Sequence, residues 1–211
     1  MSEPARFAGL ILAAGSGSRF GGGKMRARLD GRPLSAHVLD AARAAGLGRL
    51  VLVLGRDAAA VRDAISAADP AALAGLLVAV NPAPERGLAT SLRLGLAAAT
   101  AGPAPAGILV LLGDQPRVRP DVIAALLDAS VSARSDTLAV VPEYADDGAQ
   151  NPVLLLPAAW ILVAELDGDR GLGALLAARP ELAVRVPVAG ANPDVDTVAD
   201  LADLEGSPRA H

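Results

Sequence analysis

Ala8-Gly9-Leu10-Ile11-Leu12 runs without a break into Ala13-Ala14-Gly15-Ser16-Gly17-Ser18-Arg19-Phe20-Gly21-Gly22-Gly23-Lys24. The first part is apolar throughout, as expected of a strand covered on both faces, and the second is a loop crowded with glycine. Six further short apolar runs follow: Leu50 to Leu54, Leu76 to Val80, Ile108 to Leu112, Leu138 to Val141, Val153 to Leu156 and Val184 to Val188. Between several of them lie Ala/Leu/Arg stretches of helical character: Pro33 to Gly46, Asp57 to Ala68, Leu88 to Thr100, Pro120 to Ala129 and Arg170 to Ala178. The first of these carries Pro near its start and Gly at its end, the usual asymmetry of a helix. Alternation of strand and helix predicts an α/β chain, a three-layer sandwich around a mostly parallel sheet. No sequence repeat is present, and Gly102-Pro103-Ala104-Pro105-Ala106-Gly107 reads as a loop, so one domain over 8–205 is expected.

In sheets of this kind ligands sit beyond the carboxyl ends of the strands. Glycine, charge and amide collect at those exits: Gly15 to Lys24, Gly55-Arg56-Asp57, Asn81-Pro82 and Gly113-Asp114-Gln115-Pro116. Five glycines between Gly15 and Gly23 carry a large backbone-entropy cost. Their use is to let N–H groups converge on phosphate oxygens, with Arg19 and Lys24 adding positive charge. The P-loop pattern fails here at Ser18 and Met25, and the G-x-G-x-x-G fingerprint fails at Phe20. Lys24 is the only lysine among 19 basic residues. A compact ammonium suits a bridging phosphate oxygen better than a planar guanidinium.

Composition narrows the function. The net charge of −4 and the four scattered aromatics (Phe7, Phe20, Tyr144, Trp160) exclude a general nucleic-acid binder. Basic residues nevertheless concentrate between Arg19 and Arg32, as an anion site or as a solvated face. The absence of cysteine excludes disulfides, thiolate metal sites and a cysteine nucleophile, and makes the cytoplasm the expected compartment. No apolar run is long enough for a membrane span, and the stretch from Phe7 to Ala14 is too short for a signal peptide. His37 and His211 cannot form a zinc site alone, and Ser16, Ser18 and Ser91 have no neighbouring histidine to activate them.

The loop from Leu12 to Lys24 resembles the signature of the MobA-like nucleotidyltransferases, which share their fold with sugar-nucleotide pyrophosphorylases. The resemblance implies a Rossmann-like sheet of the nucleotide-diphospho-sugar transferase type. It also implies nucleotide binding by Leu12, Ala13, Ala14, Gly15, Ser16 and Gly17, with Arg19 and Lys24 on the phosphates. Leu111-Leu112-Gly113-Asp114-Gln115-Pro116 resembles the L-G-D-Q-P of molybdenum-cofactor cytidylyltransferases, and Asp194-Val195-Asp196-Thr197 followed by Asp200-Leu201 resembles D-I-D-T-x-x-D-L. These imply Mg²⁺ held by Asp114 and Asp196, with Arg19, Lys24 and Asp114 as catalytic residues, while Asp194 reads as structural and Thr197 as a helix cap. Asn81-Pro82 with Gly87 and Ser91 fits the family's N-P-x-x-x-x-G-x-x-x-S-L and implies nucleotide contacts at Asn81, Gly87 and Ser91. Gln150-Asn151-Pro152-Val153 and Gly168-Asp169-Arg170-Gly171 imply an acceptor site at Asn151 and Asp169, although Gln150 replaces the usual glycine.

The implied partners are CTP (or GTP), a phosphorylated pterin and, transiently, a molybdoenzyme or its chaperone. The implied reaction moves CMP from CTP to molybdopterin. A guanylyltransferase, another phosphorylated acceptor, and an oxidoreductase acting on a heterocycle remain alternatives. A cofactor-holding chaperone is disfavoured by the joint presence of Lys24, Asp114 and Asp196.

Overall fold

The computed structural model describes residues 4–147, 149–166 and 172–206. Among the described residues nine strands form: β1 (Ala8–Ala13), β2 (Arg28–Leu29), β3 (Arg32–Pro33), β4 (Arg49–Leu54), β5 (Leu76–Val80), β6 (Ile108–Leu112), β7 (Ala139–Tyr144), β8 (Val153–Leu155) and β9 (Ala183–Val188). The helices are α1 (Leu34–Ala44), α2 (Ala58–Ala68), α3 (Leu88–Thr100), α4 (Pro120–Ser130), α5 (Trp160–Glu165), α6 (Leu172–Ala178) and α7 (Val198–Gly206).

Seven strands make one sheet in the order β5-β4-β1-β6-β8-β7-β9, and β2 pairs with β3 as a separate antiparallel ribbon. Within the sheet β5, β4, β1 and β6 are parallel neighbours, and so are β7 and β9. β8 alone among them runs antiparallel to its neighbours β6 and β7. The sheet is therefore mostly parallel, as the unbroken apolar runs predict.

Each strand contributes to two separate cores because alternate side chains point to opposite faces. From β1, Ile11 and Ala13 join one core together with Val38 and Leu39 of α1, Val61 and Ile65 of α2, and Ile123 and Leu126 of α4. Leu10 and Leu12 join the other with Leu92 and Leu96 of α3, Val163 of α5 and Leu176 of α6. Helix, sheet and helix stack as three layers, and the sandwich expected from the sequence is the one observed.

Several boundaries move for local reasons. Pro33 precedes α1 and lies in β3, and the helix ends at Ala44, before Gly46 turns the chain at φ 73°. β7 continues through Pro142 to Tyr144, past the sequence boundary at Val141. Its pairing with β8 covers only Ala139 and Val140, so Pro142 meets no β8 ladder where its missing N–H would count. The predicted helix over Arg170 to Ala178 is described from Leu172 onward, and Arg170 lies outside the described residues. Two elements have no counterpart in the sequence reading, the β2–β3 ribbon and the short helix α5. Thr197 does cap α7: its hydroxyl accepts the Asp200 N–H at 3.2 Å, while the Asp200 carboxylate accepts N–H from Thr197 and Asp196 at 2.7 and 2.9 Å. This reciprocal box draws the Asp200 pKa below the ordinary carboxylate value, chiefly through the Thr197 backbone N–H.

β1 lies between β4 on one side and β6 on the other. The chain leaves β1 toward β4 and β5, then returns to add β6 on the opposite edge. That reversal is the topological switch point at which α/β sheets open a crevice beyond their carboxyl ends.

Candidate active site

The crevice is present where the topology puts it. A cavity of about 550 Å³ is lined by Leu12, Ala14, Gly15 and Ser16 at the end of β1, Gly87 and Ser91 at the start of α3, and Asp114, Asp194 and Asp196. The loop after β1 is closed on itself, with Phe20 and Gly22 N–H donating to the Gly17 carbonyl, both at 3.0 Å. Gly17 has φ +60°, and a Cβ there would lie 2.7 Å from Cβ of Lys24. Only glycine meets both demands, and its lack of a side chain leaves the room that the base of the lysine occupies. Gly113 serves the neighbouring exit in the same way. A Cβ on it would lie 2.8 Å from Cβ of Ala13 and 3.1 Å from Sδ of Met25. Its N–H donates to the Leu12 carbonyl at 2.8 Å, so the turn bearing Asp114 lies directly beside the glycine loop.

Asp196 reaches the same place from the far end of the chain. The Val195 N–H donates to the Asp114 carbonyl at 2.9 Å. Two buried amides reinforce that link. Asn192 Nδ2 donates to Gln115 Oε1 and to the Asn151 carbonyl, both at 3.1 Å, and Gln115 Nε2 donates to the Asn192 carbonyl at 3.3 Å. One clasp thus ties the Asp114 turn, the Asp196 segment and the Asn151 loop.

The result is a charged cluster. Lys24 Nζ donates to Asp114 Oδ2 at 2.7 Å and to Asp196 Oδ1 at 2.8 Å, and Arg19 Nη1 donates to Asp196 Oδ2 at 2.6 Å. Lys24 is buried at 7% exposure, whereas the Arg19 side chain is 76% exposed. Burial pulls the Lys24 pKa down, but hydrogen bonds and charge from Asp114 and Asp196 outweigh it and leave the ammonium above its ordinary value. The hydrogen bond from Lys24 holds Asp196 below the usual carboxylate range, with the charges of Lys24 and Arg19 adding to it. Asp194 moves the other way: solvent reaches it, yet it is crowded on the cavity wall, and desolvation followed by the Asp114 charge raises its pKa. A third carboxylate thus faces the cavity where the sequence suggested a structural residue. The D-x-D spacing itself, which puts two side chains on one side of an extended segment, was the available signal.

The other expected site residues divide. Leu12, Ala14, Gly15, Ser16, Gly87 and Ser91 line the cavity, and Ala13 instead turns its methyl into the core below β1. Asn81 departs from expectation. It is buried, its Nδ2 donates to Thr90 Oγ1 and Ser91 Oγ at 2.8 and 2.9 Å, and its Oδ1 accepts the Ala83 N–H at 2.9 Å. With both amide hydrogens committed it braces the start of α3 and does not line the cavity. Asn151 lines a second, smaller cavity of about 160 Å³ that shares Leu12, Leu88 and Leu112 with the first. Gln150 is its other amide, and the remaining lining is mostly apolar. Asp169 lies outside the described residues.

The basic stretch also splits. Arg28 donates to the Gly31 carbonyl and Arg32 pairs with Asp40, leaving Arg19 and Lys24 as its members in contact with the cluster's carboxylates. His37 lies in α1 with Nε2 2.9 Å from the Leu29 carbonyl, a structural contact. Among the described residues no helix is long and apolar enough to cross a membrane.

Comparison with known proteins bears on the fold and the family. Rv0371c from Mycobacterium tuberculosis is 34% identical with a TM-score of 0.82, over 95% of this chain and 97% of that one. A structure of Rv0371c in complex with manganese superposes with a TM-score of 0.77 at 31% identity, over 96% and 99% of the two chains. The bifunctional protein GlmU of Burkholderia mallei is 38% identical over 133 residues, 62% of this chain but only 27% of the length of that protein. At 16% identity and a TM-score of 0.72, a CMP:2-keto-3-deoxy-manno-octonic acid synthetase shows the shared fold. The family model for the MobA-like NTP transferase domain matches residues 9–184, and the chain belongs to that family of nucleotidyltransferases.

Proposed function

We propose that residues 8–205 form one catalytic domain that transfers CMP from CTP to the terminal phosphate of molybdopterin, releasing pyrophosphate. The observation that carries this reading is the convergence of Lys24, Asp114 and Asp196 at a cavity whose wall is the glycine loop. An acceptor phosphate oxygen forms the new bond to the α-phosphorus, and the bond from that phosphorus to the β-bridging oxygen breaks. A phosphate monoester has a second pKa near about 6, so the acceptor is mostly dianionic at neutral pH and needs no general base. This suits a cavity whose described lining includes no histidine. Positioning and electrostatics supply the rate: backbone N–H groups from Gly15 to Gly17, the Lys24 ammonium and the Arg19 guanidinium meet the triphosphate.

The donor set fits a hard divalent cation, since two carboxylates already converge on one positive charge. Asp114 and Asp196 would hold Mg²⁺, which supplies charge neutralisation of the triphosphate when bound. The manganese complex of Rv0371c supports a divalent cation in this family. Asn151 and Gln150 offer amides to the edge of a heterocyclic acceptor, and Leu88, Leu92 and Leu112 offer apolar surface to its face.

The cytidylyl assignment rests on the Gly113-Asp114-Gln115-Pro116 turn. Transfer is measured with CTP and GTP at matched Mg²⁺ and purified molybdenum cofactor. The expected preference is at least about tenfold for CTP in kcat/KM, equivalent to about 1.4 kcal/mol. Equal or better use of GTP assigns a guanylyltransferase. Transfer from CTP only to a different phosphorylated acceptor removes the pterin.

A further inference from the structure

The two carboxylates that would take a metal are already engaged by a buried cation. Lys24 Nζ accounts for Asp114 Oδ2 and Asp196 Oδ1, and Arg19 takes the remaining oxygen of Asp196. Lys24 and Arg19 offset the charges of the two carboxylates they hold, so that pair draws a dication less strongly than two free carboxylates would. A metal ion arriving alone would compete for the same lone pairs and meet the ammonium at close range. Asp194 also lines the cavity but is not one of the two carboxylates that Lys24 holds. The base of Lys24 lies close beside Gly17, and its four side-chain torsions allow Nζ to reach other acceptors. Triphosphate oxygens in the cavity give Nζ a new set of acceptors and bring the negative charge that a dication requires.

We propose that Lys24 is a built-in counter-ion that closes the Asp114–Asp196 pair to metal until a nucleoside triphosphate arrives. Metal and nucleotide then enter together, and Lys24 exchanges carboxylate for phosphate. The same residue that contacts the triphosphate thereby couples metal affinity to nucleotide occupancy. This rests on the nucleotidyltransferase reading for the identity of the second ligand.

The probe is Mn²⁺ without acceptor, with free ion followed by electron paramagnetic resonance. Wild-type protein is expected to bind Mn²⁺ weakly alone and, once the Mn²⁺ chelated by CTP without protein is subtracted, at least about tenfold more tightly with CTP, within the usual range for coupled sites. Lys24→Met keeps the length of the side chain and removes its charge. It is expected to bind Mn²⁺ without nucleotide at least about tenfold more tightly than wild type, and adding Asp114→Asn to it should abolish the gain. Equal nucleotide-free affinity in wild type and Lys24→Met overturns the proposal.

Because Lys24 is the only lysine, wild-type protein labelled at lysine Cε gives a second readout that needs no variant. Mg²⁺ alone should leave that resonance in place, and Mg²⁺ with CTP should move it. A full shift with Mg²⁺ alone also overturns the proposal. Neither readout depends on turnover. A protein that transfers CMP with unchanged Mn²⁺ affinities keeps the reaction and loses the counter-ion role. The converse result keeps the role and loses the reaction.

Discussion

At the end of β5, Asn81 is buried with both amide hydrogens and its carbonyl oxygen committed to Thr90, Ser91 and Ala83. Two strands away, at the ends of β1 and β6, Lys24 is buried to a similar degree but is held by two carboxylates that line an open cavity. Both residues are polar, both sit at strand exits, and both approach the start of the same crevice. The first cluster is neutral, so every hydrogen bond it makes is spent on the fold. The second is ionic and faces solvent on one side, so a ligand of the right charge can exchange with its internal partners. Being saturated is what makes a buried polar group structural, and being saturated by exchangeable charge is what makes it available for binding.

Removing charge from the second cluster is expected to give the largest effect. Lys24→Ala, Asp114→Asn and Asp196→Asn should each lower transfer by about 10² or more while the protein stays folded, as loss of a single preorganised electrostatic contact does elsewhere. Steady-state kinetics with circular dichroism on the same samples checks this. Normal turnover in all three would make the ionic cluster as structural as the neutral one.

Asn81→Ala should show the opposite signature. It strands the Ala83 N–H and two hydroxyls, and a cost of about 2 kcal/mol is expected. For a chain of this size that lowers Tm by roughly 4–8 °C. A thermal melt reads it, and kcat should fall much less than in the Asp114 variant. Loss of turnover with an unchanged Tm would move Asn81 into direct contact with nucleotide.

The smallest effect is expected outside both clusters. Tyr144 is the only tyrosine, is buried, and its hydroxyl has no hydrogen-bond partner among the described residues. Burial pushes its pKa from 10.0 up to about 12, with the neighbouring Arg119 pulling the other way. The folded value lies above the unfolded one, so the stability it contributes is complete below pH 10 and is lost as pH rises through 12. Phenolate absorbance should therefore titrate well above the free value until the protein unfolds. Tyr144→Phe should change stability at neutral pH by no more than about 0.5 kcal/mol, because no hydrogen bond is lost. A midpoint near 10 would place the phenol in water.

How much of this was legible in the sequence follows from the same contrast. Period and punctuation are local, and they located the strands of the seven-stranded sheet and most of the helices. Glycine density and a lone lysine are also local, and they located the loop. Asn81 could not be read because an amide at a strand exit looks the same whether it faces a ligand or Ser91. The clasp between Gln115 and Asn192 joins residues far apart in the chain, so neither side of it signals the other. Asp194 looked structural because its partner in the D-x-D spacing carried the family resemblance, while the crowding that raises its pKa exists only in the folded cavity. The short helix α5 follows Pro157 directly after β8, with too few residues for a helical period to emerge.

The central claim is that the Lys24–Asp114–Asp196 cavity transfers a nucleotidyl group, and the position of the transferred phosphorus tests it most directly. Purified protein is given Mg²⁺, molybdenum cofactor and CTP labelled at either the α- or the γ-phosphorus, and the products are separated. The expected result is α-label in the acceptor product, γ-label in pyrophosphate, equal amounts of the two products, and neither product with Asp114→Asn. Label from the γ-position in the acceptor, or undiminished transfer by Asp114→Asn, would contradict it.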